Sequence, residues 1–131
     1  MEIRVLLINE QGANFVNVEN TNKAINQLLN WEDCWDVPTI NIRGHQYLIV
    51  CSDTGKMKHW PVSCLSYDNL IEPKEALREP FIVGSVIITK FDGKDDFKSL
   101  NDKDVEILES RLYTHGKAYL KDYFPTILIL D

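Results

Sequence analysis

Short apolar runs separated by turn-forming residues are the feature that most restricts what this chain can fold into. Residues 3–8 are apolar at nearly every position, which is typical of a strand buried on both faces. Residues 47–51 and 81–89 repeat the pattern, and residues 127–130 are continuously apolar. None of these runs approaches the roughly 18 residues that a membrane-spanning helix needs. The sequence therefore predicts a sheet-based domain that does not enter a membrane.

The segments around these runs complete the predicted sheet. Residues 14–19 alternate partly after a turn at Gly12, so they should form a hairpin with residues 3–8. Residues 34–42 carry one proline, which fits an edge or irregular strand. The remaining predictions are a strand over 57–65 that Pro61 interrupts, irregular structure over 66–80 with a short helix over 74–78, a charged loop over 92–98 and a terminal strand over 124–130.

Two helices are predicted from N-cap residues and apolar spacing. Residues 20–22 supply capping side chains for a short helix over 24–29 that ends near Asn30. Asn101 caps the second helix, whose first turn holds aspartates favoured by the helix dipole. Its apolar positions are Val105, Leu108 and Leu112, and His115-Gly116 has the chemistry to end it. The predicted fold is α+β, a mixed, mainly antiparallel sheet of five or six strands with two helices packed on it, in one domain over residues 1–131.

Composition and charge limit which cellular compartment and which kinds of partner we expect for this protein. Hydrophobic residues make up 44% of the chain and charged residues 26%, which is ordinary for a globular protein. Three widely spaced cysteines do not form a disulfide framework, and residues 1–9 are too short and wrongly charged for a signal peptide. The net charge is −6 and the basic residues are scattered singly, so nucleic acid is not an expected partner. We expect a cytoplasmic protein with reduced thiols, whose acidity serves solubility or contact with a basic protein surface.

Asp53-Thr54-Gly55 is the tripeptide that carries the catalytic carboxylate of aspartic proteases, and Ile82-Val83-Gly84 superficially supplies the second segment that such enzymes need. The flanking residues differ from that pattern, because Ser52 precedes the tripeptide and Lys56 follows it. Two substantial helices also fit poorly with a small all-β protease. The tripeptide is better explained as a turn in which Gly55 takes a positive φ.

Metal, cofactor and catalytic motifs are not found at the spacings that their chemistry needs. Cys51, His59 and Cys64 match none of the short paired-ligand spacings of zinc sites. The glycines are isolated, residues 92–96 lack the spacing of a calcium loop, and there is no Gly-x-Ser-x-Gly elbow. We therefore predict no metal, no cofactor and no catalytic residue. An enzyme with a dispersed site built on Cys51, His59 or Asp53 stays open as an alternative.

Three tryptophans are the remaining candidates for a binding surface. Trp31 and Trp35 are four residues apart across a helix-to-strand junction, where they would form a ligand-binding shelf or an interface hot spot. The alternative is that they close one end of the core. Trp60 follows His59, and both join the candidate binding residues.

A series of short motifs runs along the chain in a fixed order. The motifs are Ala24 to Leu29, Leu48 to Cys51, Gly55-Lys56, Pro61-Val62-Ser63, Ile82-Val83-Gly84 and Ser99 to Asp104. This order resembles an uncharacterised family of small proteins frequent in bacteriophages and conjugative elements, especially of Gram-positive bacteria. The resemblance covers about residues 1–112 and leaves residues 113–131 as a C-terminal extension. Ser63 stands where the family tends to have Asn, and it completes the candidate binding residues.

The resemblance implies a genomic setting, with the protein in the host cell cytoplasm, and no mechanism. The first functional hypothesis is a phage or mobile-element accessory protein that binds a host protein stoichiometrically, with counter-defence as a candidate role. A small-molecule or nucleotide-binding module near the tryptophans is the alternative, and an enzyme with a dispersed site is the second alternative. A homodimer through residues 124–130 is one of two ways to bury that apolar tail, and pairing within the chain is the other.

The turn interpretation of residues 53–55 predicts opposite outcomes for two substitutions. Gly55→Val should lower the melting temperature, because a β-branched residue resists positive φ. Asp53→Asn should leave both the melting temperature and the biological activity nearly unchanged. Loss of activity in Asp53→Asn at an unchanged melting temperature would revive an acid–base role for this carboxylate.

Overall fold

The computed structural model describes residues 1–9, 12–32, 34–52, 62–68, 81–94, 96–114 and 126–130. The elements in these ranges are strands β1 (Glu2–Asn9) and β2 (Gly12–Glu19), helix α1 (Asn22–Leu29), strands β3 (Trp35–Asp36), β4 (Thr39–Ile42), β5 (His45–Ser52), β6 (Val62–Asp68), β7 (Phe81–Val83), β8 (Val86–Phe91) and β9 (Phe97–Lys98), helix α2 (Asp102–Glu109), and strands β10 (Leu112–Thr114) and β11 (Thr126–Leu130). Asp53-Thr54-Gly55 and the short helix predicted over 74–78 lie outside the described residues.

The larger sheet has the strand order β2-β1-β8-β5, and both β3 and β4 pair with the outer side of β5. The short strand β9 pairs with β8. Every pair in this sheet is antiparallel. The predicted N-terminal hairpin is confirmed, since β1 and β2 stay in register from Glu2 opposite Glu19 to Asn9 opposite Gly12.

A second, four-stranded sheet has the order β10-β11-β6-β7, and β11 runs parallel to β6 while its other neighbour, β10, is antiparallel. A mixed, mainly antiparallel α+β architecture with two helices is therefore confirmed for the described residues. The strands are divided between two sheets, however, whereas the sequence led us to expect one. The apolar tail enters the second sheet as β11, and both of its edges are occupied within its own chain.

Two predicted strands are broken in the structure. The segment 81–89 divides at Gly84, whose φ of 70° turns the chain, and its halves β7 and β8 belong to different sheets. The segment 34–42 divides into β3 and β4 around Pro38, at the sheet edge where a proline is tolerated. The break at Gly84 was not predicted, because both halves of the apolar run 81–89 are strands. The break at Pro38 agrees with the irregular edge strand that the proline indicates.

The two helices begin where their caps predict. The Thr21 side chain accepts a hydrogen bond from the Ala24 N–H at the start of α1, and Asn30, with a φ of 60°, ends that helix. Helix α2 ends at Glu109, so the predicted end at His115-Gly116 is wrong. Leu112 leaves the helical pattern because it pairs with Leu128 in the second sheet.

The core lies on both faces of the larger sheet. Along β1, Ile3 and Val5 face α1, while Leu6 and Ile8 face α2. The α1-side cluster consists of Ile3, Val5, Val18, Ile25, Leu29, Val50 and Ile87. The α2-side cluster consists of Leu6, Ile8, Ile40, Ile42, Tyr47, Ile49, Val86, Ile88, Leu100, Ile107, Leu108 and Leu128. The prediction that residues 3–8 are buried on both faces is confirmed.

The tail contributes to this core through Leu128, which is fully buried in the α2-side cluster. Leu128→Ala should therefore lower the free energy of unfolding by about 2–5 kcal/mol, the cost of a large-to-small core substitution. Urea denaturation measures this loss. Phe91→Ala, at a side chain that is 51% exposed, is the control and should cost far less. Equal small losses in both variants would mean that the tail is not part of the core.

Candidate functional site

Trp31 and Trp35 both pack, half-buried, against the α1-side cluster. The Trp31 Nε1–H donates to the carbonyl of Ser85 at 2.7 Å, and the Trp35 Nε1–H donates to Asn26 Oδ1 at 2.7 Å. The Trp35 ring stacks on Phe97 with 6.0 Å between ring centroids. Both indole N–H groups are thus occupied by the chain, as expected of residues that close one end of the core.

The other candidate binding residues are His59, Trp60 and Ser63. His59 and Trp60 lie outside the described residues, and Ser63 is in β6, where the structure describes the backbone alone. Of the proposed dispersed site, Cys51 donates its thiol to the Asp36 carbonyl at 3.4 Å and packs against the α2-side cluster. In the parts of the chain that the structure describes, no three His, Cys, Asp or Glu side chains are grouped to hold a metal.

An open groove next to Trp35 is the feature that sequence reasoning missed. It lies between the β4–β5 hairpin and the β8–β9 hairpin and has a volume of about 340 Å³. We call it the Phe91 groove. Its lining residues are Val37, Thr39, Leu48, Phe91, Asp96 and Phe97. The ring of Phe91 is 51% exposed, and the Trp35–Phe97 stack stands at the edge of the groove.

Strand pairing explains why these side chains meet. Phe91 and Phe97 are directly opposite in the β8–β9 hairpin, so their side chains share one face of the sheet. Thr39 and Leu48 are opposite each other in the β4–β5 hairpin. The sequence signal was the pair of phenylalanines on either side of an Asp-Gly turn, but the region had been predicted as a charged loop.

Two aspartates, Asp92 and Asp96, stand at the rim of the Phe91 groove in a turn that also carries the exposed Lys94. Asp92 Oδ1 accepts hydrogen bonds from the backbone N–H groups of Lys94 at 2.6 Å and Asp96 at 3.3 Å. The Asp92 N–H donates in turn to the Asp96 carbonyl at 3.0 Å. Both carboxylates are exposed, so they present negative charge beside an apolar surface.

A buried polar network lies on the opposite face of the same sheet. Asp104, 4% exposed, accepts a hydrogen bond from the Tyr47 hydroxyl at 2.9 Å through Oδ1. Its Oδ2 accepts from Lys90 Nζ at 2.6 Å and from the Asn101 N–H at 2.9 Å. The Asn101 side chain completes the capping box by accepting from the Asp104 N–H. One carboxylate therefore joins α2 to β5 and β8.

The pKa values show what this network can do. Burial raises the pKa of Asp104, but hydrogen bonds from Lys90, Asn101 and Tyr47 outweigh it and hold that pKa below its usual range. Burial and the hydrogen bond to Asp104 raise the pKa of Tyr47. At neutral pH the carboxylate stays ionised and the phenol stays protonated. Neither group is poised near neutral pH for proton transfer, so the network is structural.

The chain belongs to a family described as a domain of unknown function (DUF3846), whose family model matches residues 3–113. This confirms the resemblance to an uncharacterised family. No curated protein and no solved structure matches the chain. Among the described residues, neither helix has the length and apolar character to cross a membrane.

The Asp104 network predicts a specific pH dependence of stability. Since the folded-state pKa of Asp104 is lowered, its carboxylate stabilises the fold above the unfolded value of about 4, and this contribution is lost as the pH falls through the folded-state pKa. Asp104→Asn should cost about 3–5 kcal/mol at pH 7, because it leaves Lys90 without its ion-pair partner. Tyr47→Phe should cost about 1 kcal/mol.

Chemical denaturation between about pH 2 and 7 measures both effects. The wild-type protein should lose more stability than Asp104→Asn as the pH falls below about 4. Parallel loss in the two proteins would show that Asp104 is not a stabilising carboxylate.

Proposed function

We propose that this protein is a stoichiometric binding protein that holds an extended or helical segment of a partner protein in the Phe91 groove. The observation that carries the proposal is the half-exposed Phe91 ring in an open groove that Val37, Leu48 and Phe97 also line. Among the side chains that the structure describes, the large hydrophobic ones that stand exposed are Met1 at the terminus and Phe91 in the body of the fold. An exposed aromatic ring beside apolar neighbours is typical of a protein–protein contact.

The chemistry of the groove specifies the partner segment. Leu48, Val37 and Phe97 offer apolar contacts around the Phe91 ring. Asp92 and Asp96 stand at its rim, and the chain has a net charge of −6. A complementary segment carries an apolar or aromatic side chain flanked by Lys or Arg, since opposite charges steer and orient association.

The setting that we propose is the host cell cytoplasm, with a host protein as the partner of a phage or mobile-element protein. The order of the motifs in this sequence, which resembles that of proteins frequent in bacteriophages and conjugative elements, supports this setting. Membership of a family of unknown function adds no activity to it.

Substitution of Phe91 tests the proposal. Phe91→Ala should weaken binding of the captured partner at least tenfold, equivalent to about 1.4 kcal/mol, because hot-spot truncations cost this much or more. Pull-down from host lysate with mass spectrometry supplies the partner, and titration calorimetry with the purified partner measures the affinity.

A charge-matched pair provides the control. Phe91→Glu and Lys103→Gln each make the net charge more negative by one, but Lys103 is an exposed residue of α2, outside the Phe91 groove. A partner that Phe91→Glu loses and Lys103→Gln keeps supports the proposal. A partner that binds all these variants equally would contradict it.

A further inference from the structure

The outer edge of β2 is a second surface that the fold leaves available. Within the described ranges, β2 pairs with β1 on one side and with no strand on the other. The β1–β2 register is unbroken over eight residue pairs, so β2 has no bulge. The strand contains no Pro, Lys or Arg. Bulges, proline and basic side chains are among the devices by which natural sheets block pairing at an edge, and β2 has none of these three. Its one charged residue, Glu19, stands at the end of the strand.

The hydrogen-bond pattern identifies the outward groups of this edge. The Asn20 N–H, just after β2, donates to the Met1 carbonyl at 3.0 Å. Bonded positions alternate along an antiparallel ladder, so the even-numbered residues of β2 bond β1 and the odd-numbered residues turn their N–H and C=O groups outward. The Glu19 carbonyl fits this pattern, because it accepts a hydrogen bond from the Thr21 N–H at 2.8 Å instead of bonding to β1. Ala13, Phe15 and Asn17 remain as the outward-facing residues.

We propose that two copies of this chain pair antiparallel through β2 to form one continuous sheet, centred on Phe15. In this register Phe15 lies opposite Phe15 of the second copy, and Ala13 lies opposite Asn17. Each such pair exchanges two backbone hydrogen bonds, so all three outward residues are satisfied. A two-fold axis through Phe15 makes the interface isologous, which is the commonest form of homodimer.

Charge favours a second copy over an oppositely charged partner at this edge. The chain has a net charge of −6, yet residues 12–30 contain one acid, Glu19, and one base, Lys23. The Glu19 carboxylate contacts the N-terminal ammonium. The exposed side chains Asn14 and Asn17 are neutral. Pairing along this edge therefore places no like charges opposite each other, and the Phe91 groove stays outside the interface.

Light scattering over a wide range of protein concentration tests the proposal. The wild-type protein should rise toward twice the mass of one chain as the concentration increases. Asn17→Pro should remain a folded monomer, because it removes an outward N–H and leaves the β1 ladder bonded. Asn17→Ala is the matched control that keeps the N–H, and it should dimerise like the wild type. Monomers at every wild-type concentration would overturn the proposal, as would equal dimerisation of Asn17→Pro.

Disulfide trapping provides a second test that does not depend on the proline variant. In a Cys34→Ser background, Phe15→Cys should form covalent dimers on oxidation, because residues paired across the axis have Cα atoms about 5.5 Å apart. Asn14→Cys should not, because residue 14 lies opposite residue 16 of the second copy. Equal trapping of both variants, or of neither, would contradict the centring on Phe15.

Discussion

The carboxylate of Asp104 is the interaction on which the rest of the α2 side depends. It caps its own helix through the Asn101 N–H and receives the Tyr47 hydroxyl and the Lys90 ammonium from two neighbouring strands. These contacts fix α2 over the apolar side chains that would otherwise meet water. A buried ion of this kind is costly unless every acceptor site is used, and here backbone, phenol and ammonium donors share the two oxygens. The segment 99–104 is also anchored to β1, since Leu100 and Arg4 exchange hydrogen bonds.

Local chemistry made part of this fold predictable. The N-terminal hairpin and the Thr21 and Asn101 caps depend on residues close in sequence, and all three are confirmed. The two-sided burial of β1 is also confirmed, although distant segments such as α2 cover one of its faces. The errors arose where distant segments decide the outcome. Leu112 has helical spacing, but its pairing with Leu128 draws it into a sheet. Gly84 interrupts a continuous apolar run, and only the presence of two sheets explains why the chain turns there.

The candidate site was less predictable than the fold for a related reason. Trp31 and Trp35 are candidate binding residues by their size, but both of their indole N–H groups donate to acceptors within the chain. The exposure of Phe91 could not be predicted from the sequence, because it depends on how the strands assemble. The β8–β9 pairing sets Phe91 beside Phe97, and the Phe91 ring is left 51% exposed. The Asp104 network lies on the other face of the sheet, so it holds the fold together without lining the Phe91 groove.

Amide chemical-shift mapping of the isotope-labelled chain with the captured partner tests the central claim most directly. The account predicts that the largest shift changes fall on Leu48, Phe91 and Phe97, with Asn101 and Asp104 nearly unchanged. Changes centred on the Asp104 network, with the groove unaffected, would contradict it.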